Sequence, residues 1–172
     1  MYKPNSLRDA LVTGLAELTQ NPGKLSLYIT QGHIAARHGA TLSWVYVYTL
    51  EVFITDLATH TDAVFVTLLS WIRANQIDIL ENPDRRERAM TFEAEPLNKT
   101  SCDLVIRLAL TENVRVTSSS NPSSPQALGR YTLTHPEEPT PEGVVLTPQS
   151  WDVVDASGNV MTTLTIPASY TT

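Results

Sequence analysis

Charge is scarce in this chain, and basic charge is scarcer still. Charged residues make up 17% of the 172 positions, and 12 Lys and Arg stand against 18 Asp and Glu, a net charge of −6. Nucleic-acid binding rests on neutralising phosphates with Lys and Arg, so this balance argues against a DNA reader. It is compatible with a surface that DNA slides past, because like charges repel. A chain that is 42% hydrophobic and this poor in charge hides part of its surface against partners. Cysteine is almost missing. Cys102, standing alone, excludes an internal disulfide and fits a reducing compartment such as a bacterial cytoplasm. Seven glycines scattered singly leave no phosphate-cradling loop, and there is no G-x-S-x-G nucleophile motif. The segment Met1-Tyr2-Lys3-Pro4-Asn5 lacks the apolar run of a signal peptide. The longest apolar segment, Leu42 to Ile54, is broken by Thr49 and Glu51, so no membrane span is expected.

What is present divides unevenly. Up to Thr117 there are 11 basic and 13 acidic residues; beyond it, Arg130 faces Glu137, Glu138, Glu142, Asp152 and Asp155. Seven of the 11 prolines lie past residue 120, and Ser118-Ser119-Ser120-Asn121-Pro122-Ser123-Ser124-Pro125 reads as a linker. The expected organisation is a body over 1–117, a linker or long loop over 118–128, and a β-rich extension over 129–172.

The body opens with a helix capped by Asn5 or Ser6, whose apolar face is Leu7, Ala10, Leu11, Leu15 and Leu18. Asn21-Pro22-Gly23 stops it. Leu25, Leu27 and Ile29 alternate as a strand, with turns expected at Gln31-Gly32-His33 and Arg37-His38-Gly39. The clearest strand follows: Leu42, Trp44, Tyr46, Tyr48, Leu50, Val52 and Ile54 occupy every second position and so share one sheet face. A second helix is predicted from Thr61, its cap, to Leu80, with Val64, Leu68, Trp71 and Ile72 as its stripe and Asn82-Pro83 as its stop. Strands over 90–97 and 102–116, turning at Asn98-Lys99-Thr100, make a hairpin. In the extension, 130–134 is a strand, and 151–155 pairs with 160–166 across Ser157-Gly158-Asn159. The pattern predicts an α+β fold: an antiparallel sheet with two α-helices packed on one face, plus a small β-rich extension.

Candidate chemistry is thin. The four histidines lack metal-ligand spacing, and no metal or cofactor is expected. Asp56 and His60, four apart, are the one pair that suggests acid–base work, as a small cytoplasmic enzyme would use. The simpler reading is a strand-to-helix loop with capping residues. Cys102 shares a strand face with Leu104 and Ile106, as a buried inert thiol does. Asp84-Arg85-Arg86-Glu87-Arg88 reads as a solvated mixed-charge face or an intersubunit salt-bridge site. Tyr46 and Tyr48 carry polar tips that suit an interface or a sheet rim.

Several segments, in order, resemble the R-type tail completion proteins of temperate contractile-tailed phages. They are Lys3-Pro4-Asn5-Ser6-Leu7-Arg8, Leu42-Ser43-Trp44-Val45-Tyr46-Val47-Tyr48-Thr49-Leu50, Ile54-Thr55-Asp56 and His60-Thr61-Asp62-Ala63. After them come Leu69-Ser70-Trp71-Ile72-Arg73-Ala74-Asn75-Gln76, Phe92-Glu93-Ala94-Glu95, Asp103-Leu104 and Leu110-Thr111-Glu112. The resemblance spans about residues 2 to 117 and ends near Val116. It implies a structural virion protein, not an enzyme, that caps the tube and sheath at the head-proximal end of the tail. It further implies a homo-oligomeric ring, a hexamer by analogy with tail terminators, joined to neck and head–tail connector proteins, with DNA passing the lumen unbound. Such a protein is assembled in the host cytoplasm. Another tail, collar or baseplate adaptor role is the alternative. For contacts with subunits or partners, the expected residues are Arg8, Tyr46, Tyr48, Arg85, Arg86, Arg88 and Trp151. The extension is expected to act as an arm toward a neighbouring subunit, sheath, collar or neck protein.

Overall fold

A computed structural model of the chain describes residues 1–36, 39, 41–119, 130–136 and 149–166. The order is α1 (Lys3–Gly14), α2 (Ala16–Gln20), a 3-10 turn (Pro22–Lys24), β1 (Leu25–Ala36), β2 (Trp44–Leu57), α3 (Thr61–Asn75), α4 (Asp78–Glu81), α5 (Pro83–Arg86), β3 (Met90–Pro96), β4 (Cys102–Ser119), β5 (Arg130–Thr134), β6 (Gln149–Val154) and β7 (Val160–Ile166). The main sheet runs β1-β2-β4-β3, with β5 added to the far end of β4; all pairings are antiparallel. The fold is the expected α+β. None of the helices among the described residues is long and apolar enough to cross a membrane.

Alternation sets the sheet faces. Leu50, Val52 and Ile54 of β2 lie opposite Leu108, Ile106 and Leu104 of β4, and all six are buried. Leu7, Leu11 and Leu18 from the first two helices and Leu15 at the break between them, with Val64, Leu68 and Ile72 from α3, close over them. Each such side chain contributes on the order of 1.5–3 kcal/mol by leaving water. The stripe does not stay buried along its whole length: Leu42, at its start, is exposed. The opposite face, with Val45, Val47, Phe53, Val105 and Ala109, is half-buried. An ion bridge crosses it, where Arg107 on β4 reaches Glu51 on β2 (2.9 Å) and Glu93 on β3 (2.6 Å).

Several expected boundaries move. The first helix starts at Lys3, so Asn5 and Ser6 lie inside it and cap nothing; Pro4, with φ pre-set for a helix, sits in its first turn. Ser6 instead accepts a hydrogen bond from the Trp71 indole (3.0 Å), tying α1 to α3. The helix breaks at Leu15, whose backbone is extended. Just before the break, Gly14 lies so close to α3 that a Cβ there would sit 2.9 Å from Thr67. Gln31-Gly32-His33 is not a turn. β1 continues through it with a register shift between Thr30 and His33, and Gln31 takes a φ of 51°. This bulge absorbs extra residues without ending the pairing. Of the turn expected at Arg37-His38-Gly39, only Gly39 is within the described residues.

The cap of α3 is His60, not Thr61: its Nδ1 accepts from the Asp62 N–H at 3.2 Å. That helix ends at Asn75 rather than Leu80, and two single-turn helices follow. Its end is fixed by Gln76, which is drawn into the sheet. Gln76 Oε1 accepts from the Thr111 N–H (3.1 Å) and from Lys3 Nζ (2.6 Å), while its Nε2 donates to Thr111 Oγ1 and Asp78. The side chain thus stands in for a strand partner beside β4, between the stretch paired with β3 and the stretch paired with β5. Ser118 and Ser119, expected to begin the linker, are the last residues of β4 and pair with Tyr131 and Arg130. Residues 120–128 lie outside the described residues. The β6–β7 hairpin turns at Gly158 (φ 84°), as its sequence suggests, and β7 packs on α1 and α3.

Candidate functional site

The densest polar cluster, 54–62, is a joint between elements. Asp56 sits in a register shift at the end of β2 with a φ of 47°, and its side chain is exposed. Its N–H donates to Asp103 (2.7 Å) and its carbonyl accepts from Lys24 Nζ (2.6 Å). His60 is engaged as the α3 cap. Among the described residues no hydrogen bond or ion pair joins Asp56 to His60. The centre of the joint is Glu17, on α2. Its carboxylate accepts from the Ala58 and Thr59 N–H groups, the Thr59 hydroxyl and Lys24 Nζ. Burial alone would raise its pKa, but the hydrogen bonds from Lys24, Thr59 and the two backbone N–H groups hold it at about 2. The shallow depression beside it, lined by Gln20, Asn21, Thr59, His60 and Met161 among others, opens to solvent.

A second carboxylate organises the opposite end of the helix layer. Glu112, on β4, is buried and accepts from the N–H groups of Tyr2 (2.8 Å) and Lys3 (3.3 Å) and from the Tyr48 hydroxyl. It does from a distant strand what a local cap would do: it satisfies free N–H groups at the positive end of α1. Burial, then the hydrogen bond from the phenol to Glu112 and that residue's charge, push the Tyr48 pKa upward. His135, just after β5, stacks edge-on against Tyr2 (4.5 Å between ring centres). Its Nδ1 lies 3.8 Å from Glu112, too long for a hydrogen bond. Neither carboxylate stands out in the sequence, because the backbone N–H groups they accept from lie 41 to 110 positions away.

The residues expected to make contacts scatter over the molecule. Tyr48 is removed from that list, since it is 3% exposed and its hydroxyl is bound to Glu112. Tyr46, two residues earlier on the same face, is half-buried and stacks edge-on with Trp44. Arg8 is half-buried and donates to the Leu25 carbonyl at 3.2 Å. Arg85 pairs with Asp78, whereas Arg86 and Arg88 are exposed. Trp151, on β6, is 56% exposed. Sequence reading did not say which strands form the sheet edges. Among the described residues no strand pairs with the outer edge of β1 or of β3.

No solved structure matches the chain. Tail completion protein R of Escherichia phage P2 is 36% identical over 141 residues, which cover 82% of this chain and 88% of that protein. The family described as P2 phage tail completion protein R (GpR) matches residues 1–139. That span runs past Val116, where the resemblance was expected to end, and takes in β5 and His135. This is a structural family and not one of enzymes, and the chain belongs to it: it is a member of the P2 phage tail completion protein R (GpR) family.

Proposed function

We propose that this protein closes the head-proximal end of a contractile tail as a homo-oligomeric ring, a hexamer. On one side it meets tube and sheath, and on the other it offers a surface to the neck. A tube subunit stacks head to tail, so growth has no intrinsic end. A terminator must complement the tube on one face and lack that complement on the other. The job needs a rigid subunit with open lateral edges and no reactive group. The observation that carries the reading is a sheet left open, among the described residues, at both β1 and β3 in a chain of a tail completion family. Arg8, Tyr46, Arg86, Arg88 and Trp151 are the side chains left to contribute contacts, with Arg85 supporting them through Asp78. The acidic balance suits a lumen that DNA passes without sticking.

On this reading residues 140–172, the part beyond the family match, supply contact with a neighbouring component, their β6–β7 hairpin resting on α1 and α3. The test is electron microscopy of particles from a phage lacking the gene. Tails of uncontrolled or unstable length that fail to join heads are expected, with immuno-labelling of wild-type particles at the neck. Normal joined tails in the mutant, or label at the baseplate, would overturn it. In a strain carrying only residues 1–139, the arm role predicts reduced yield of joined particles; full yield removes it.

A further inference from the structure

The two lateral edges of the sheet are not alike. From Leu25 to Ala36, β1 has no proline, no acidic residue and no Lys or Arg. Its charge comes from beside it: the Arg8 guanidinium rests on the Leu25 carbonyl, and His33 is exposed in its second half. An edge of that length without guarding charge is a template for another strand. β3 is shorter, carries Glu93 and Glu95, and ends at Pro96. Two such edges brought together would oppose four carboxylates, which disfavours pairing like with like.

We propose that β1 of one copy pairs with β3 of the next, so that neighbouring sheets run into each other around the ring. The contact rests on the ring reading above and names its partner, a second copy of this chain. Three observations fit together. First, the strands alternate in direction along β1-β2-β4-β3, so β1 and β3 run oppositely. A copy that is rotated, without being flipped, therefore presents β1 antiparallel to its neighbour's β3. That contact is heterologous, the kind that generates rings; β1 against β1 would close after two copies. Second, the charges fit: Glu95, and Glu93 beside its bridge to Arg107, meet an edge that has no acidic residue and has the Arg8 guanidinium beside its first residue. Third, the exposed apolar side chains match. Ile29 and Ile34 of β1 share the helix-side face with Phe92 of β3, by register with Leu50, Tyr46 and Ile106, and all three are exposed in the single chain. A continuous sheet would bring them together on that face.

The test uses charge exchange, read by native mass spectrometry and sedimentation on the full chain, alone and with tail tube protein. One variant carries Tyr28→Glu and His33→Glu on β1; the other carries Glu93→Gln and Glu95→Lys on β3. Thermal melting by circular dichroism serves as the folding control for each. Each variant alone should associate on the order of tenfold or more weakly than wild type, and mixing the two should restore rings, because each altered edge then finds an opposite charge. Rings that persist in both variants would overturn this contact while leaving the ring reading intact. A β3 variant that associates like wild type while the β1 variant fails would indicate β1–β1 pairing and also overturn it. A wild-type chain that stays monomeric even with tube protein would overturn both.

Discussion

Two carboxylates hold the two ends of the helix layer, and they do so under opposite conditions. Glu112 clamps the start of α1 from inside, with its side chain 4% exposed, while Glu17 clamps α2 to the β2–α3 loop at the rim, 13% exposed and beside an open depression. Each accepts two backbone N–H groups from a distant part of the chain, so each is a cap supplied by tertiary structure. The difference lies in what water can do once a clamp is lost. At the rim, solvent reaches the freed N–H groups. Inside, it does not, and unsatisfied groups bear their full desolvation cost. The interior clamp therefore belongs to stability, and the rim clamp to alignment of the loop that starts α3.

The sharpest way to break this contrast is Glu112→Ala. It strands the Tyr2 and Lys3 N–H groups and the buried Tyr48 hydroxyl. We expect a loss of about 3 kcal/mol, or roughly 6–12 °C in Tm for a chain of this size, measured by calorimetry. Adding Tyr48→Phe to Glu112→Ala should recover part of the loss, since it removes one stranded donor. A loss below about 1 kcal/mol would mean that water enters this end and that the contrast is wrong.

Glu17→Gln sharpens the comparison through pH. The folded pKa is about 2 and the ordinary value is 4.5, so the group is depressed on folding. Its charge contributes stability above about 4.5, and the contribution is lost as pH falls from there toward 2. Wild type should exceed Glu17→Gln by about 1–2 kcal/mol at neutral pH, discounted for partial exposure, and the gap should close at low pH. A gap that does not change with pH would assign the effect to packing and not to charge.

How much of this was legible in the sequence follows from the range of each interaction. The alternation in 44–54 and 102–110 gave the sheet and its buried face, because period-2 burial is written residue by residue. The Asn98 turn was legible too; its side chain accepts from the Thr100 and Ser101 N–H groups, within three positions. Helix ends were not. Local caps were expected at Asn5, Ser6 and Thr61, but α1 draws on Glu112, and Gln76 leaves α3 to bond a strand 35 positions on. A single sequence carries no signal for a cap delivered from so far away. Asp56 and His60 left an acid–base alternative beside the favoured reading of a capping loop for the converse reason: their spacing was visible, whereas the bonds to Lys24, Asp103 and Asp62 that occupy them were not.

The smallest expected effect tests that last point. His60→Ala removes a side-chain cap at the exposed rim, where water can replace the Nδ1 acceptor for the Asp62 N–H. A cost of about 0.5–1 kcal/mol in thermal unfolding is expected, at the low end for a cap. His60→Asn, which keeps a capping acceptor, should recover it. Phage supplied with His60→Ala should form tails as wild type does, since a loss of that size leaves nearly all of the chain folded. If tail completion fails while Tm is unchanged, the rim cluster has a role beyond alignment. The surface beside Glu17 would then join the sheet edges among the places proposed for contact with neighbours.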